Sequence, residues 1–80
     1  MREIVVYSRR GCHLCDEMLE QLEPLCRVRA ELLVRDIDTR EDWRQEFNEL
    51  VPVLHFEGRE ICRYTLDRNA VMELLGLSGD

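Results

Sequence analysis

The stretch Glu3-Ile4-Val5-Val6-Tyr7-Ser8-Arg9-Arg10-Gly11-Cys12-His13-Leu14-Cys15 decides the fold. Residues 3–7 are apolar, β-branched and aromatic beyond Glu3, and they stop at the turn-forming Ser8-Arg9-Arg10-Gly11, as a short buried strand would. From about Cys12 to Cys26 the pattern changes. Leu14, Met18, Leu22 and Leu25, with Cys15, Leu19 and Cys26 beside them, recur at intervals of three and four, which predicts an amphipathic helix. Asp16 and Glu17 suit the positive end of such a helix, and Pro24 predicts a kink or an early stop near its far end.

The junction carries the chemistry. Cys12 and Cys15 are spaced Cys-x-x-Cys, and residues three apart on a helix stand about 5–6 Å apart at their β-carbons, close to what a disulfide needs. Cys12 is expected at the helix start, where free amides and the helix dipole favour a thiolate and lower a thiol from about 8.5 to about 3.5–7.5 in such motifs. Cys12 is therefore the candidate nucleophile and Cys15, one turn inward, the resolving thiol. Arg9, Arg10 and a protonated His13 would add to thiolate stability, whereas Asp16 and Glu17 would oppose it.

Further along, Glu31 to Ile37 reads as a second strand. Thr39 with Asp42 makes a weak capping box for a helix through Trp43, Phe47 and Leu50, two of whose residues are expected core anchors. Val51 to Phe56 is a third strand, with His55 a residue of its face; Glu57-Gly58-Arg59 is a tight connection and Glu60 to Tyr64 a fourth strand. Asp67 caps a last helix carrying Ala70, Val71, Leu74 and Leu75, stopped by Gly76. The order β-α-β-α-β-β-α predicts an α/β fold: two parallel strands joined by a right-handed crossover, then a hairpin, in a four-stranded mixed sheet flanked by helices.

The whole chain fits this frame. With 80 residues, and no repeat or linker composition, 1–80 is expected to be a single domain. Its net charge of −6 argues against nucleic acid as a partner, and because all 11 basic residues are Arg, lysine chemistry is excluded. The apolar run near the N-terminus is too short for a signal peptide or a membrane span, so the expected setting is cytoplasmic, with no membrane partner. There, Cys-x-x-Cys signals redox or metal chemistry more than a structural staple. Cys26 and Cys62 read as passive apolar thiols, with a second disulfide as the alternative. The Cys and His residues do not form a zinc-ligand pattern of two close pairs, so no metal site is expected.

The strand ending in Cys-x-x-Cys on a helix, the element order and Val51-Pro52 opening the third strand together resemble a glutaredoxin of the thioredoxin-fold family, over roughly residues 3–75 and most closely the short bacterial glutaredoxin-like group. The resemblance implies a cis peptide at Val51-Pro52 lying against the cysteines, with the backbone before the proline pairing to substrate. It also implies Arg9 as a contact for the glycine carboxylate of glutathione, and a substrate site of Arg9, Gly11, His13, Val51 and Pro52 around Cys12 and Cys15. The chain departs from the family pattern after the fourth strand, where glutaredoxins usually carry Gly-Gly and an Asp. Here stands Cys62-Arg63-Tyr64-Thr65, with Asp67 two positions late, and His13 replaces the usual Pro of the cysteine motif. The expected activity is that of a monomeric thiol-disulfide oxidoreductase acting on protein disulfides or glutathione. It has no tightly bound cofactor and takes electrons from glutathione or a thioredoxin-type reductase. Iron-sulfur or metal binding and a non-catalytic adaptor role are the other readings.

Overall fold

The computed structural model describes residues 2–77, so the single-domain expectation over 1–80 reaches beyond it at Met1 and at residues 78–80. Strand β1 spans Arg2–Ser8, helix α1 His13–Cys26, strand β2 Ala30–Asp36, helix α2 Glu41–Phe47, strands β3 and β4 Val53–Phe56 and Arg59–Arg63, and helix α3 Arg68–Leu74. Short 3-10 turns at Ile37–Thr39 and Asn48–Leu50 bracket α2. The four strands lie in the order β2-β1-β3-β4. β1 pairs with β2 in parallel, Ile4 beside Leu32 and Val6 beside Val34, while β1–β3 and β3–β4 are antiparallel. The α/β sheet of the glutaredoxin-like class is thus the one the sequence predicts.

Strand side chains alternate between faces, and the sequence uses both. Ile4, Val6, Leu54 and Phe56 point to one face and are sealed there by Met18, Leu22 and Cys26 of α1 and by Val71 of α3, with Leu75 just after it. Val5, Tyr7 and Val53 point to the other, where they meet Cys15, Ile37, Phe47 and Val51, with Cys12, Trp43 and Leu50 at the margin. The β3–β4 connection is a two-residue turn at Glu57-Gly58, both at positive φ (53° and 79°), which matches the right-handed twist of the strands it joins. Across the sheet, the Arg2 guanidinium donates to the Leu74 carbonyl at 2.5 Å, tying the start of β1 to the end of α3.

Asp67 caps α3 as expected, its carboxylate accepting from the Ala70 amide at 3.1 Å. Other expectations shift. Leu14 is exposed, and the buried stripe of α1 is Cys15, Met18, Leu22 and Cys26, all within the predicted apolar set, with Cys15 and Cys26 in place of Leu14 and Leu25 at its ends. Pro24 does not stop α1, which continues to Cys26. A proline this close to the end deletes one backbone bond, and burial of Cys26 holds the last residues in place. Thr39 caps nothing: its hydroxyl donates to the Asp36 carbonyl at 2.6 Å inside a 3-10 turn, and Arg40 precedes α2 without a side-chain cap. Asp42 pairs with Arg40 at 2.9 Å instead of closing a capping box. Helix α2 ends at Phe47, because Asn48 leaves helical geometry and Leu50 belongs to the following 3-10 turn. Strand pairing in β3 begins at Val53, after Val51-Pro52.

Candidate active site

β1 delivers the chain to the edge of the second core, and Gly11 turns it into α1 at φ 74°, a left-handed conformation that costs glycine little. Cys12 is the N-cap of α1. Its sulfur accepts a hydrogen bond from the Cys15 amide at 3.1 Å, and its carbonyl accepts from the Asp16 amide at 3.1 Å. One turn on, Cys15 is 1% exposed, whereas Cys12 is half-buried. The two form a disulfide across a Cα–Cα distance of 5.2 Å, the separation that a single helical turn provides without backbone movement. Cys12 is thus the more exposed residue of the pair and Cys15 the sheltered one.

The Val51-Pro52 peptide is cis, and Val51 packs in the same cluster as Cys12 and Cys15. The Pro52 carbonyl accepts from the Tyr64 amide at 2.8 Å, so the residue after β4 is pinned to the proline corner. The structure therefore brings together four of the residues expected at the site: Cys12, Cys15, Val51 and Pro52. Gly11 supplies the turn that starts the helix.

The two remaining expected residues face other partners. Arg9 places its guanidinium on Asp38, with Nε and Nη2 donating to the two carboxylate oxygens at 3.0 and 2.9 Å, and its Nη1 reaches the main-chain and side-chain oxygens of Asn48 at 3.4 Å. One side chain thereby links the loop before Cys12 to both 3-10 turns, the second of which leads into Val51-Pro52. Beside this guanidinium the Asp38 carboxyl is held below the usual carboxylate range. His13 is exposed, and its Nε2 lies 2.9 Å from the Glu17 carboxylate, one turn along the helix. Glu17 thus sits against the imidazole expected to assist the thiolate. Neither Asp38 nor Tyr64 was identifiable as part of this neighbourhood from the sequence: Asp38 lies 29 positions from Arg9, and the absence of the Gly pair was the single local sign at Tyr64.

Behind the cysteines lies an aromatic cluster. Tyr7 stacks on Phe47 at 4.1 Å and meets Trp43 and His55 edge-on at 5.7 and 5.1 Å, while Arg35 donates to the Tyr7 hydroxyl at 2.9 Å. His55 is accordingly a packed face residue. A groove of about 400 Å³ opens on this face between Glu3, Val5, Tyr7, Arg35 and His55, and neither Cys12 nor Cys15 lines it. The other two cysteines are free and belong to the first core. Burial pushes both thiols up, and the Asp67 amide points at the Cys62 sulfur at 3.5 Å, a weak pull the other way. Among the described residues, no three His, Cys, Asp or Glu side chains gather as metal ligands, and no helix is long and apolar enough to cross a membrane.

Comparison with known proteins supports the fold and gives a family. Residues 3–76 match the model of the Glutaredoxin-like domain (DUF836). No curated protein matches the chain. Among solved structures it is similar to the X-ray structure of target protein XcR50 of the Northeast Structural Genomics effort, from X. campestris, with a TM-score of 0.72 and 27% identity over 95% of this chain and 99% of that one. A matched redox-type family and a cysteine pair at disulfide distance point together to redox chemistry.

Proposed function

The chain belongs to the Glutaredoxin-like domain family, and we propose from that premise that it is a cytoplasmic, monomeric dithiol thiol-disulfide oxidoreductase. The observation that carries the reading is the pair itself: a half-buried Cys12 whose sulfur receives an amide hydrogen at the start of α1, with Cys15 buried one turn behind. In the reduced protein that amide and the helix dipole favour the thiolate.

The Cys12 thiolate attacks one sulfur of a substrate disulfide. The substrate S–S bond breaks, a mixed disulfide with Cys12 forms, and the first substrate sulfur leaves as a thiolate that takes a proton from water. Cys15, deprotonated, then attacks the Cys12 sulfur and expels the second substrate thiol. Two electrons have moved to the substrate, and the protein holds the Cys12–Cys15 disulfide until an external thiol reduces it. Val51 and Pro52 would border the incoming chain.

A redox titration in dithiothreitol buffers, with the bonded cysteines mapped by mass spectrometry, tests the reading. Cys12 and Cys15 are expected to interconvert as one two-electron couple. A pair that never closes at any accessible potential would sink it. Within the same chemistry, reduction by a thioredoxin-type reductase rather than by glutathione is favoured by two observations. Arg9 is engaged by Asp38, and Cys62-Arg63-Tyr64-Thr65 stands where glutaredoxins usually carry their Gly pair. Assays with glutathione and its reductase, run beside thioredoxin reductase, separate the two.

A further inference from the structure

Leu14, between the two cysteines in the chain, is 40% exposed, and Tyr64, after β4 and bonded through its amide to the Pro52 carbonyl, is 42% exposed. Tyr64 is also unusual in its backbone. It holds φ at 69°, and the Thr65 amide donates to the Arg63 carbonyl at 2.7 Å across it, closing a three-residue γ-turn. A γ-turn with positive φ is rare and strained, and for a bulky side chain the left-handed region is a true outlier. Glu57, also a non-glycine at positive φ, sits in a hairpin turn that requires it; Tyr64 has no hairpin to serve.

What holds Tyr64 there is the hydrogen bond from its amide to the Pro52 carbonyl, and Pro52 follows Val51, which packs with Cys12 and Cys15. Strain of this kind persists where the surroundings over-determine it, and it clusters at ligand clamps and active sites. The strained turn is therefore fixed through its backbone to the proline corner beside the cysteines, and its residue carries an exposed aromatic ring.

We propose that Tyr64 is a substrate-contacting, specificity-determining residue. With Leu14 it receives the apolar residues that flank the disulfide of an extended polypeptide, so that protein disulfides are reduced in preference to small ones. The proposal rests on the thiol-disulfide reading above and adds the substrate class. A small disulfide brings no flanking side chains to cover Leu14 and the Tyr64 ring, whereas a polypeptide does. A tyrosine suits the role because it offers a large, rigid contact surface with a polar tip at little entropic cost.

The test compares the full-length parent with Tyr64→Gly, Tyr64→Asn and Tyr64→Phe. Each is assayed on insulin and on hydroxyethyl disulfide with dithiothreitol as the electron source, beside thermal melting. Glycine and asparagine accept the left-handed backbone, so both variants are expected to melt no lower than the parent. Their kcat/KM for insulin is expected to fall at least threefold through KM, while that for hydroxyethyl disulfide stays within twofold; Tyr64→Phe is expected to keep the insulin rate. Equal losses on both substrates would overturn the proposal, because Tyr64 would then act through the geometry of the cysteines. No change on either substrate would overturn it as well. If the parent reduces neither disulfide and Cys12 and Cys15 do not couple, the underlying redox reading fails instead.

Discussion

The two faces of the sheet are built from alternate residues of the same strands, yet they serve opposite ends. On one face Ile4, Val6, Leu54 and Phe56 meet α1 and α3 in a core of buried apolar side chains. On the other, Tyr7 and Val53 meet a seven-residue α2, aromatic rings, two arginines and the redox pair, and part of that face lies open as a groove. The first face has the character of a core that sets stability. The second is small and polar-edged, as a surface must be if one sulfur is to stay reachable while its partner is covered. α1 belongs to both: Met18, Leu22 and Cys26 anchor it in the first core, and Cys12 and Cys15 present its opening turn to the second. The rigid face thereby fixes the position of the reactive one.

The division can be broken from either side. Cys12→Ser is expected to abolish disulfide reduction altogether while the melting of the reduced protein stays within about 0.5 kcal/mol of the parent, because serine keeps an acceptor at the N-cap of α1; insulin turnover beside thermal unfolding checks it. Leu22→Ala does the reverse. It removes a fully buried side chain from the aliphatic core and is expected to cost about 2–5 kcal/mol in urea unfolding, with turnover per folded molecule retained.

A third test sharpens the boundary between the faces. Asp38→Asn releases Arg9 from its bidentate contact and loosens the link between the Cys12 loop and the turn before Val51. Disulfide turnover is expected to fall several-fold, less than tenfold for an exposed pair, and Asp38→Glu to restore part of it. The pH dependence has a definite sign. Since Arg9 lowers the Asp38 carboxyl, its contribution to stability is complete above the usual carboxylate range and disappears as pH falls through the lowered folded value. The stability gap between parent and Asp38→Asn should therefore be constant near neutrality and close in acid, which acid titration of unfolding will show. The smallest effect belongs to the spare thiols. Burial keeps Cys26 and Cys62 protonated at neutral pH, so iodoacetamide should modify them far more slowly than reduced Cys12, and Cys62→Ser should leave turnover within about twofold.

What the sequence made legible follows from the range of the forces involved. Strand alternation, the Asp67 cap and the hairpin are local, and Cys-x-x-Cys at a strand-to-helix junction encodes its own geometry in three residues. The apolar pattern of α1 identifies Met18 and Leu22 as buried but does not separate Leu14 from Cys15, because Leu14 is as apolar as its neighbours and exposure there depends on what packs across the helix start. Thr39 and Asp42 fit a capping box in composition, but Asp36 and Arg40 compete for their hydrogen bonds. The tie between Arg9 and Asp38 depends on the crossover that sets β1 beside β2, with Ser8 opposite Asp36, and no spacing rule reports it. The γ-turn at Tyr64 depends likewise on a carbonyl of the proline corner, brought near by the β3–β4 pairing.

The hydrogen bond from Arg2 to Leu74 has a practical meaning for anyone handling the molecule. β1 runs from Arg2 toward the cysteines over seven residues, so the Arg2–Leu74 pole lies on the order of 20 Å from the reactive end at about 3.3 Å per residue. A fluorophore, surface tether or fusion partner attached at that pole would leave the approach to Cys12 clear. The oxidised and reduced forms could then be followed on an immobilised protein with the sulfur facing the solution.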